Sequence, residues 1–364
     1  MKKNIKKNIV IVTGGTGGHI FPALALGQYL IENFLNVNYV TDRRGLANKN
    51  LAKLKPIIIN VKGFAGKTFF QKIYSLFLIL VSFLKSIIFL KRVKPDLVLG
   101  FGSYVQVPVV LAAKILNIKI MLHEANLVLG NANKYLWNFA KVRTSAFNIN
   151  NSSKNFNIVG MPVRKEVKTL NSRLYQFPKK NQKINILILG GSLGSLVLSK
   201  SICDQLCNLP TNLKKRLYVM HQSKAEHIKS ISRNYLNNKI GFEVKPYFND
   251  MYKKFNKTTL VICRSGASTV AENLVAGLPA VYIPLANSID NHQRHNANMV
   301  EKNNAGWVLL EGEIIQSKFL KLLTKLFSSY KILERVSQNC KNISKPNASE
   351  NLYRLISGVL YEKF

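Results

Sequence analysis

Acidic residues are scarce in this sequence. Its 364 residues include 17 aspartates and glutamates against 53 lysines and arginines, which gives a formal net charge of +36. Such a surface attracts nucleic acid, anionic lipid or an anionic substrate. A drift of the overall composition toward Lys and Asn is an alternative explanation for part of the excess positive charge. Only five of the acids are aspartates, and no two form an Asp-x-Asp pair that could hold a divalent ion against a diphosphate. The negative charge of a diphosphate ligand would instead have to be balanced by helix N-termini and by Arg or Lys.

Cysteines and export signals are also sparse. The four cysteines contain no CxxC pair and fit no zinc spacing, so we expect reduced, buried thiols of a cytosolic protein. After Lys7 the apolar stretch lasts only about five residues before the first glycines, which is too short for a signal peptide and predicts a protein that is not exported. His292 and His295 have no third partner at metal-ligand spacing. The sequence therefore predicts neither a metal ion nor another cofactor.

One arrangement of residues occurs twice. A run of β-branched residues ends at a glycine cluster that leads directly into an amphipathic helix, first at 9–19 and again at 184–195. This arrangement leaves unpaired N–H groups at the positive end of a helix dipole, which suits a phosphate. The length of 364 residues also favours two domains of about 150 to 200 residues each. We therefore expect two nucleotide-type domains with a cleft between them.

Short apolar runs alternate with helical patterns through both halves, which is typical of βαβ units and a parallel sheet. The chain is therefore predicted to be an α/β protein whose ligands bind at the carboxyl ends of strands. The polar stretch from Lys165 to Lys183 is the predicted linker. The predicted strands are Ile9–Thr13, Val37–Thr41, Ile57–Val61, Leu97–Gly100, Ile118–Leu122, Val142–Ser145, Ile158–Gly160, Ile184–Gly190, Leu217–His221, Gly241–Lys245, Leu260–Cys263, Ala280–Pro284 and Gly306–Leu309.

One segment, residues 73 to 90, does not fit this pattern. Its length is near the lower limit for a bilayer span, but Lys85 interrupts it and it falls between two predicted strands of one domain. A buried crossover helix is one interpretation, and an interfacial helix that enters a bilayer surface is the other. Because a crossover helix needs only one apolar stripe and this one is apolar nearly all round, we favour partial membrane contact. The basic residues expected to meet anionic headgroups are Lys67, Lys72, Lys85, Lys91, Arg92 and Lys94.

The first glycine cluster matches neither of two common nucleotide motifs. The dinucleotide fingerprint, started from Gly15, would need glycine where Ile20 stands, and no Gly-Lys-Ser/Thr follows as in a Walker loop. A nicotinamide dehydrogenase therefore has only Asp42, after the second strand, in its favour. His19, in the first turn of the following helix, could take a proton from a hydroxyl near neutral pH. The alternative is a packing residue at the helix start.

Further polar clusters follow other predicted strands. Residues 100–104 form a second glycine turn, and residues 123–126 place imidazole, carboxylate and amide groups after the next strand. In 263–272, Ser and Thr at a helix start can bind phosphate oxygens, while Glu272 is placed to accept bonds from ribose hydroxyls. A capping box is the alternative for that segment. Residues 290–297 carry more hydrogen-bonding side chains than a simple turn needs.

Six motifs, taken in order, are more specific than any one alone. They are Gly14-Gly15-Thr16-Gly17-Gly18-His19-Ile20-Phe21-Pro22, His123-Glu124-x-Asn126, Pro162-Val163-Arg164, Gly190-Gly191-Ser192-x-Gly194, Cys263-Arg264-Ser265-Gly266-Ala267-x-Thr269-x-x-Glu272 and His292-Gln293-x-x-Asn296-Ala297. Together they resemble the motifs of the MurG family, peripheral membrane glycosyltransferases that add N-acetylglucosamine to the undecaprenyl-pyrophosphoryl-muramoyl pentapeptide of peptidoglycan synthesis. Three family amides are missing, since Leu193 and Ala125 replace Gln and Met161 replaces Asn.

The resemblance implies the GT-B architecture, in which two Rossmann-like domains face across a cleft and the second holds most of UDP-N-acetylglucosamine. Residues 1–163 would form an acceptor-binding, membrane-associating domain, with a C-terminal helix at 346–364 packed on it, and 164–345 the donor domain. His19 is the implied general base, and Phe248 matches a position whose backbone contacts uracil. The implied substrate contacts are Thr16, Gly17, Gly18, Tyr104, Glu124, Asn126, Arg164, Ser192, Phe248, Arg264, Ala267, Ser268, Thr269, Val270, Ala271, Glu272 and Gln293.

The implied reaction is inverting transfer of N-acetylglucosamine to the 4-hydroxyl of the lipid-linked muramoyl pentapeptide, with a role in cell wall biogenesis, cell shape and division. The implied partners are the UDP sugar, this acceptor and the anionic inner-membrane surface, where the protein would be peripheral on the cytoplasmic face. One alternative is a related two-domain glycosyltransferase with another acceptor. A basic nucleic-acid-binding protein is the other, and only the charge favours it. The resemblance implies no nucleic acid partner.

Overall fold

The computed structural model describes residues 6–15, 17–61, 68–149, 155–179, 181–190 and 196–361. Two predicted substrate contacts, Thr16 and Ser192, lie outside these residues, as does most of the second glycine cluster. The chain divides into two compact units. The first comprises Met1–Arg164 together with Asn347–Phe364, and the second comprises Lys165–Pro346.

The first unit is built on a parallel sheet of seven strands. The strands are β1 (Asn8–Val12), β2 (Asn36–Thr41), β3 (Ile57–Ile58), β4 (Leu97–Gly100), β5 (Lys119–Glu124), β6 (Val142–Ser145) and β7 (Asn157–Ile158). The helices between them are α1 (Gly17–Glu32), α2 (Lys49–Lys53), α3 (Phe69–Val93), α4 (Gln106–Ile115) and α5 (Asn131–Leu136), with 3₁₀ turns at Gly45–Ala47 and Trp137–Phe139. The spatial order is β3-β2-β1-β4-β5-β6-β7, so the switch point at which open α/β sheets bind ligands lies between β1 and β4.

The second unit repeats this plan with six parallel strands. The strands are β8 (Ile184–Leu189), β9 (Leu217–Gln222), β10 (Gly241–Lys245), β11 (Leu260–Cys263), β12 (Ala280–Tyr282) and β13 (Trp307–Val308). The helices are α6 (Lys165–Thr169), α7 (Leu196–Cys207), α8 (Thr211–Lys214), α9 (Ala225–Asn237), α10 (Met251–Lys257), α11 (Ala267–Val275), α12 (His292–Lys302), α13 (Glu311–Ile314), α14 (Ser317–Ser328) and α15 (Tyr330–Ile343), with 3₁₀ turns at Leu170–Ser172 and Ile289–Asn291. The order β10-β9-β8-β11-β12-β13 puts the switch point between β8 and β11.

Both faces of the first sheet are buried. Side chains alternate along β1, so that Ile9 and Ile11 pack in one core while Val10 and Val12 pack in another on the opposite face. A strand buried on both sides needs an apolar residue at every position. This explains the uninterrupted β-branched runs from which the parallel sheets were predicted.

The last helix, α16 (Ala348–Tyr361), belongs to the first unit. Its buried Leu352 and Ile356 pack in the same core as Ile9. Lys119, at the start of β5, donates a hydrogen bond from Nζ to the Val359 carbonyl at 2.5 Å. The end of the chain therefore completes the apolar core of the unit that contains its beginning.

The predicted α/β fold class is confirmed, and each predicted strand overlaps a strand of the described residues, although the one predicted at 158–160 shares only Ile158 with β7. The edge strand predicted at 57–61 is only two residues long, although Ile59 still donates its N–H to the Thr41 carbonyl at 2.8 Å. The predicted linker is partly helical, because Val167 and Leu170 are buried at its start. These buried side chains tie the segment to the second unit.

Helix α3 extends beyond both ends of the predicted 73–90 segment, and its buried face carries serines. Ser75, Ser82 and Ser86 are at most 2% exposed. Ser82 donates from Oγ to the Asn60 carbonyl at 2.9 Å, and Ser86 donates to the Ser82 carbonyl at 2.7 Å. Among the described helices, none is both long and apolar enough to cross a membrane. The exposed side chains of α3 include Phe70, Tyr74, Leu76, Phe77, Leu80, Leu84 and Ile88.

Candidate active site

The loops after β1, β4 and β5 meet at one edge of the first sheet, because neighbouring parallel strands end on the same side. The backbone there adopts left-handed conformations at Gly15, Gly102 and Ser103, with φ values of +79°, +94° and +66°. Glycine tolerates this region without a steric cost, whereas Ser103 is strained by it. Such strain is concentrated at functional sites and indicates that this loop is held in place by its surroundings.

Asp42 holds the first glycine cluster. Its Oδ1 accepts hydrogen bonds from the backbone N–H of Gly15 at 3.0 Å and of Gly45 at 2.9 Å. Its Oδ2 accepts two bonds from the Arg44 guanidinium at 3.0 and 2.9 Å. The Gly15 N–H is therefore already paired, contrary to the expectation of unpaired amides along this whole turn. The carboxylate that favoured a nicotinamide dehydrogenase is likewise occupied within the protein.

His19 is the third residue of α1, and its imidazole lies against Gly102. A Cβ atom added to Gly102 would lie 3.0 Å from His19 Cε1. The absence of a side chain at Gly102 is therefore what makes room for the ring. The backbone of the loop after β4 forms one wall of the site that contains the candidate base.

A second histidine, His123, is fully buried in β5. Its Nδ1 lies 3.0 Å from Thr144 Oγ1, and Thr144 donates its hydroxyl proton to the Leu122 carbonyl at 3.0 Å. Nδ1 of His123 must therefore carry a proton. Burial, with a smaller contribution from the charge on His19, lowers the pKa of His123 to about 3. His123 is thus a neutral structural group, and His19 is the half-buried imidazole at this edge.

Glu124 uses both carboxylate oxygens inside its own loop. Oε1 accepts from the backbone N–H and side-chain amide of Asn126 at 2.9 and 3.3 Å. Oε2 accepts from the Gly130 N–H at 2.9 Å and from Asn133 Nδ2 at 2.8 Å. Because Glu124 is only 3% exposed, its position suits shaping the loop that presents Asn126. Whether it also contacts a substrate stays a prediction.

Three other predicted contacts of the first unit, Gly17, Gly18 and Arg164, lie at or beside the first turns of α1. Gly17 and Gly18 are its first two residues, and a Cβ atom on Gly17 would lie 2.9 Å from Cε2 of the Phe21 ring. Arg164 places its guanidinium carbon 5.6 Å from the centre of the same ring. Tyr104, in the turn after β4, is half-buried. The contact with the Phe21 ring thus places the Arg164 guanidinium beside the start of α1.

In the second unit, Arg264 follows β11 and is 8% exposed. It donates to the carbonyls of Ile283 and Pro284 at 3.1 and 3.2 Å, and it pairs with Glu311 Oε1 at 2.5 Å. Desolvation lowers the pKa of Arg264, while the Glu311 carboxylate opposes this shift. These contacts join the end of β12 to the start of α13. The predicted role of Arg264 as a substrate contact remains to be tested.

The starts of α11 and α12 are linked through Ser265. Its hydroxyl donates to the Gln293 carbonyl at 2.7 Å, and its own carbonyl accepts from Asn296 Nδ2 at 3.1 Å. The N-cap of α11 is Gly266, and no described side chain caps that helix. The capping-box interpretation of this segment is therefore wrong. Two helix N-termini are brought together at one edge of the second sheet, where an anion is favoured.

The six residues from 267 to 272 differ in how far their side chains are buried. Those of Ala267, Val270 and Ala271 are buried, so these residues can offer a ligand only backbone groups. The remaining three residues of the run, Ser268, Thr269 and Glu272, are half-buried. Farther along the same edge, Gln293 accepts the Leu285 N–H at 3.1 Å. Phe248, after β10, is 1% exposed and has the Lys254 ammonium 5.3 Å from its ring centre.

Three buried polar residues of the first unit were not predicted from the sequence. Gln106, Asn133 and Thr144 are each at most 2% exposed, and each bonds to a residue of the site or beside it. Gln106 is the one with a sequence signal, since it is a polar residue within an apolar run. Within the described ranges, no three His, Cys, Asp or Glu side chains lie close enough together to hold a metal ion.

Family models match both halves of the chain. The N-terminal domain of glycosyltransferase family 28 matches residues 9–144, and the C-terminal domain of the same family matches residues 185–352.

Curated relatives match over nearly the full length. A protein of Francisella tularensis subsp. tularensis is 35% identical over 379 residues, and one of Rickettsia bellii is 36% identical over 365 residues. Each comparison covers 98% of this chain and 99% of the relative. Both relatives are named UDP-N-acetylglucosamine–N-acetylmuramyl-(pentapeptide) pyrophosphoryl-undecaprenol N-acetylglucosamine transferase.

Solved structures share the fold. The crystal structure of Acinetobacter baumannii MurG superimposes with a TM-score of 0.78 at 28% identity, covering 96% of this chain and 99% of that one. A glycosyltransferase of Rickettsia africae gives a TM-score of 0.62 at 13% identity, covering 99% of this chain and all of the other. The second likeness concerns the fold alone.

Proposed function

The chain belongs to glycosyltransferase family 28, and from that premise we propose that it transfers N-acetylglucosamine from UDP-N-acetylglucosamine to undecaprenyl-pyrophosphoryl-muramoyl pentapeptide. The predicted GT-B architecture of two Rossmann-like domains is confirmed. The observation that carries the proposal is the near full-length match to relatives named for this activity. In this proposal the first unit binds the acceptor and the second unit binds the donor.

The proposed reaction is the inverting transfer that the family resemblance implies. The muramoyl 4-hydroxyl oxygen forms a bond to the anomeric carbon of N-acetylglucosamine while the bond from that carbon to the UDP phosphate oxygen breaks. Attack from the side opposite UDP inverts the configuration and gives a β-linkage. His19 accepts the hydroxyl proton in this scheme, and UDP leaves with the electron pair. General-base assistance of this kind contributes roughly 10²- to 10⁴-fold to the rate.

The donor is proposed to bind at the starts of α11 and α12. Two helix N-termini favour the diphosphate, and the half-buried Glu272 is placed to accept bonds from ribose hydroxyls. The buried side chain of Phe248 would leave its backbone for the uracil. The predicted contacts Thr16 and Ser192 lie outside the described residues and remain part of the proposal.

Three measurements test the assignment. Calorimetry without added metal should show binding of UDP-N-acetylglucosamine in preference to UDP-glucose and NAD, and Glu272→Ala should weaken that binding. His19→Ala should lower turnover by roughly 10²- to 10⁴-fold, whereas His227→Ala, on α9, should not. No binding of UDP-N-acetylglucosamine would refute the function, and unchanged turnover would remove His19 from its role. Equal activity on a soluble muramoyl acceptor would favour the related transferase with a different acceptor.

We also propose that the protein is peripheral on the cytoplasmic face of the inner membrane and that α3 lies against the anionic lipid surface. The exposed face of α3 supports this, since Leu80, Leu84 and Ile88 are 55%, 53% and 69% exposed. Lys85, Lys91, Arg92 and Lys94 are exposed in or directly after the helix. Lys67 lies outside the described residues, as does the side chain of Lys72. Apolar burial combined with basic residues near anionic headgroups is the pattern of an interfacial helix.

Vesicle sedimentation tests this surface. The protein should bind phosphatidylglycerol vesicles and bind neutral phosphatidylcholine vesicles far less. The double variant Leu80→Asn, Ile88→Asn should bind at least about tenfold more weakly, because burying each such side chain contributes about 1.5–3 kcal/mol when complete. The control is Ile31→Asn with Ile115→Asn, which changes side chains of similar exposure, 50% and 65%, elsewhere in the first unit. Equal loss in both pairs would contradict the assignment of α3.

A further inference from the structure

A chain of buried amides connects two loops at the carboxyl edge of the first sheet. The Gly102 N–H donates to Gln106 Oε1 at 2.9 Å, and Gln106 Nε2 donates to Asn133 Oδ1 at 2.6 Å. Asn133 Nδ2 then donates to Glu124 Oε2 at 2.8 Å. Gln106, Asn133 and Glu124 are 0%, 2% and 3% exposed. These four residues, Gly102, Gln106, Asn133 and Glu124, are called the amide relay below.

The two ends of the amide relay determine its direction. The backbone N–H of Gly102 can only donate, so the atom of Gln106 that faces it must be the oxygen. The carboxylate of Glu124 can only accept, so Asn133 must present its NH₂ group to it. Each amide between these ends is therefore held in one orientation. If either turned over, two acceptors or two donors would face each other in a buried place.

Both ends of the amide relay reach residues proposed to act on substrate. Gly102 lies against the His19 imidazole, and Glu124 Oε1 accepts two hydrogen bonds from Asn126. Gln106 begins α4 and Asn133 lies in the first turn of α5, so the relay joins the starts of the helices that follow β4 and β5. Because Gln106 and Asn133 are buried, they can influence a substrate only through these neighbours.

We propose that Gln106 and Asn133 are positioning residues for the transfer reaction, which hold the loop that seats His19 and the loop that presents Asn126 in fixed relation to each other. The inference rests on the proposed function, in which His19 is the base. A leucine at either position would fill the space. It would also leave the buried Gly102 N–H without its acceptor, or leave Glu124 Oε2 with the Gly130 N–H as its remaining donor.

Exchange of an amide for a carboxyl group gives a test that depends on pH. In Asn133→Asp, a protonated carboxyl group can donate to Glu124 and accept from Gln106, which restores both relay bonds. After loss of the proton, two carboxylates face each other in a buried site, so the pKa of the pair should be raised. The relay should thus be intact at low pH and broken at high pH. Gln106→Glu should behave in the same way, because its hydroxyl can donate to Asn133 only while protonated.

The measurement is kcat for transfer to the lipid-linked acceptor from pH 5.5 to 9, expressed as the ratio of variant to wild type at each pH. This ratio should fall at least about tenfold toward high pH in both variants, with the KM for UDP-N-acetylglucosamine changed less than about twofold. Circular dichroism at each pH gives the folded fraction, so that unfolding is corrected for. The control is Asn36→Asp, the same exchange at an exposed position at the start of β2. Its ratio should not change with pH.

A pH-independent ratio in both carboxyl variants, whether near wild type or far below it, would overturn the positioning role. A fall in the ratio matched by Asn36→Asp would overturn it as well. Failure of the proposed function is distinguishable, because the wild-type protein itself would then not transfer N-acetylglucosamine at any pH.

Discussion

Replacing Gly102 by alanine should damage the active site through one methyl group. The φ of Gly102 is +94°, and the added Cβ would lie 3.0 Å from Cε1 and 3.1 Å from Nδ1 of His19. Alanine at such a φ is strained, which costs about 1–3 kcal/mol of stability. Contacts this short also require the imidazole to move by a few tenths of an ångström. Since a misplacement of about 1 Å costs roughly 100-fold in rate, a shift of a few tenths of an ångström should lower kcat about three- to tenfold.

The assay compares kcat and KM for transfer of labelled N-acetylglucosamine with the free energy of unfolding in urea. KM for UDP-N-acetylglucosamine should change little, because the donor is proposed to bind to the second unit. The control is Gly358→Ala in α16, where the added Cβ would have no described atom within 4 Å other than those of its own helix backbone and its chain neighbours. Alanine in a helix interior is favoured over glycine by roughly 0.5–1 kcal/mol, so this variant should be slightly more stable and fully active.

Two results would refute the reasoning about Gly102. A kcat within about twofold of wild type would mean that the imidazole does not depend on this contact for its position. Unchanged stability would mean that the left-handed backbone at this residue is not maintained by its surroundings. Either result would remove the loop after β4 as a wall for the proposed base.

Two further predictions concern stability. Burial lowers the pKa of both His123 and His221 to about 3, below the usual unfolded value. The unfolded chain therefore binds more protons below pH 6.5 or so, and the free energy of unfolding should fall by about 1.4 kcal/mol per pH unit for each histidine as pH drops toward 3. Urea unfolding at pH 7, 6, 5 and 4 should show this slope. His221→Phe should lower the slope by the contribution of one proton, about 1.4 kcal/mol per pH unit. An unchanged slope in this variant would contradict the assignment of His221 as a buried, neutral histidine. Glu311→Gln should lower the free energy of unfolding by about 2 kcal/mol, because the buried Arg264 loses its anion. This value lies between those of exposed and buried ion pairs. Glu313→Gln, whose ion pair is more exposed, is the control and should cost less than about 1 kcal/mol, and equal losses would argue against a special role for Arg264.

The fold was largely predictable because its strands are buried on both faces. A residue of β1 such as Ile9 or Val10 must be apolar whichever way it points, so the sequence shows an unbroken run. The weaker predictions concern the margins of the sheets. At the edge, Ile57 and Ile58 are partly exposed and only two residues pair, although the apolar run is longer. In the polar segment 165–183 only Val167 and Leu170 are buried among the described residues, which is too weak a signal to predict α6.

The site was predictable only in part, because its key hydrogen bonds join residues far apart in sequence. The motif around His19 and the motif at Glu124 are visible as local patterns. Gln106 and Asn133 are not, since the bond that gives each its role spans 27 residues. Asp42 was the one residue in favour of a nicotinamide dehydrogenase, because a carboxylate after the second strand is also suited to a ribose contact. Only the structure shows that its carboxylate binds the Gly15 amide instead.

The apolar pattern of α3 predicts the helix correctly but does not show which of its faces is buried. Serines at 75, 82 and 86 are seven and four residues apart, which puts them on one face, and the usual rule would turn that face to water. They are buried instead, and the Ser86 hydroxyl meets its hydrogen-bonding need within the helix. Leu90 and Ile87 pack in or against the core of the first unit on that buried side, whereas Leu80, Leu84 and Ile88 are exposed and each forgoes up to about 1.5–3 kcal/mol of burial. Contact with lipid would recover that free energy, so the proposed membrane surface accounts for the second, exposed apolar face of α3.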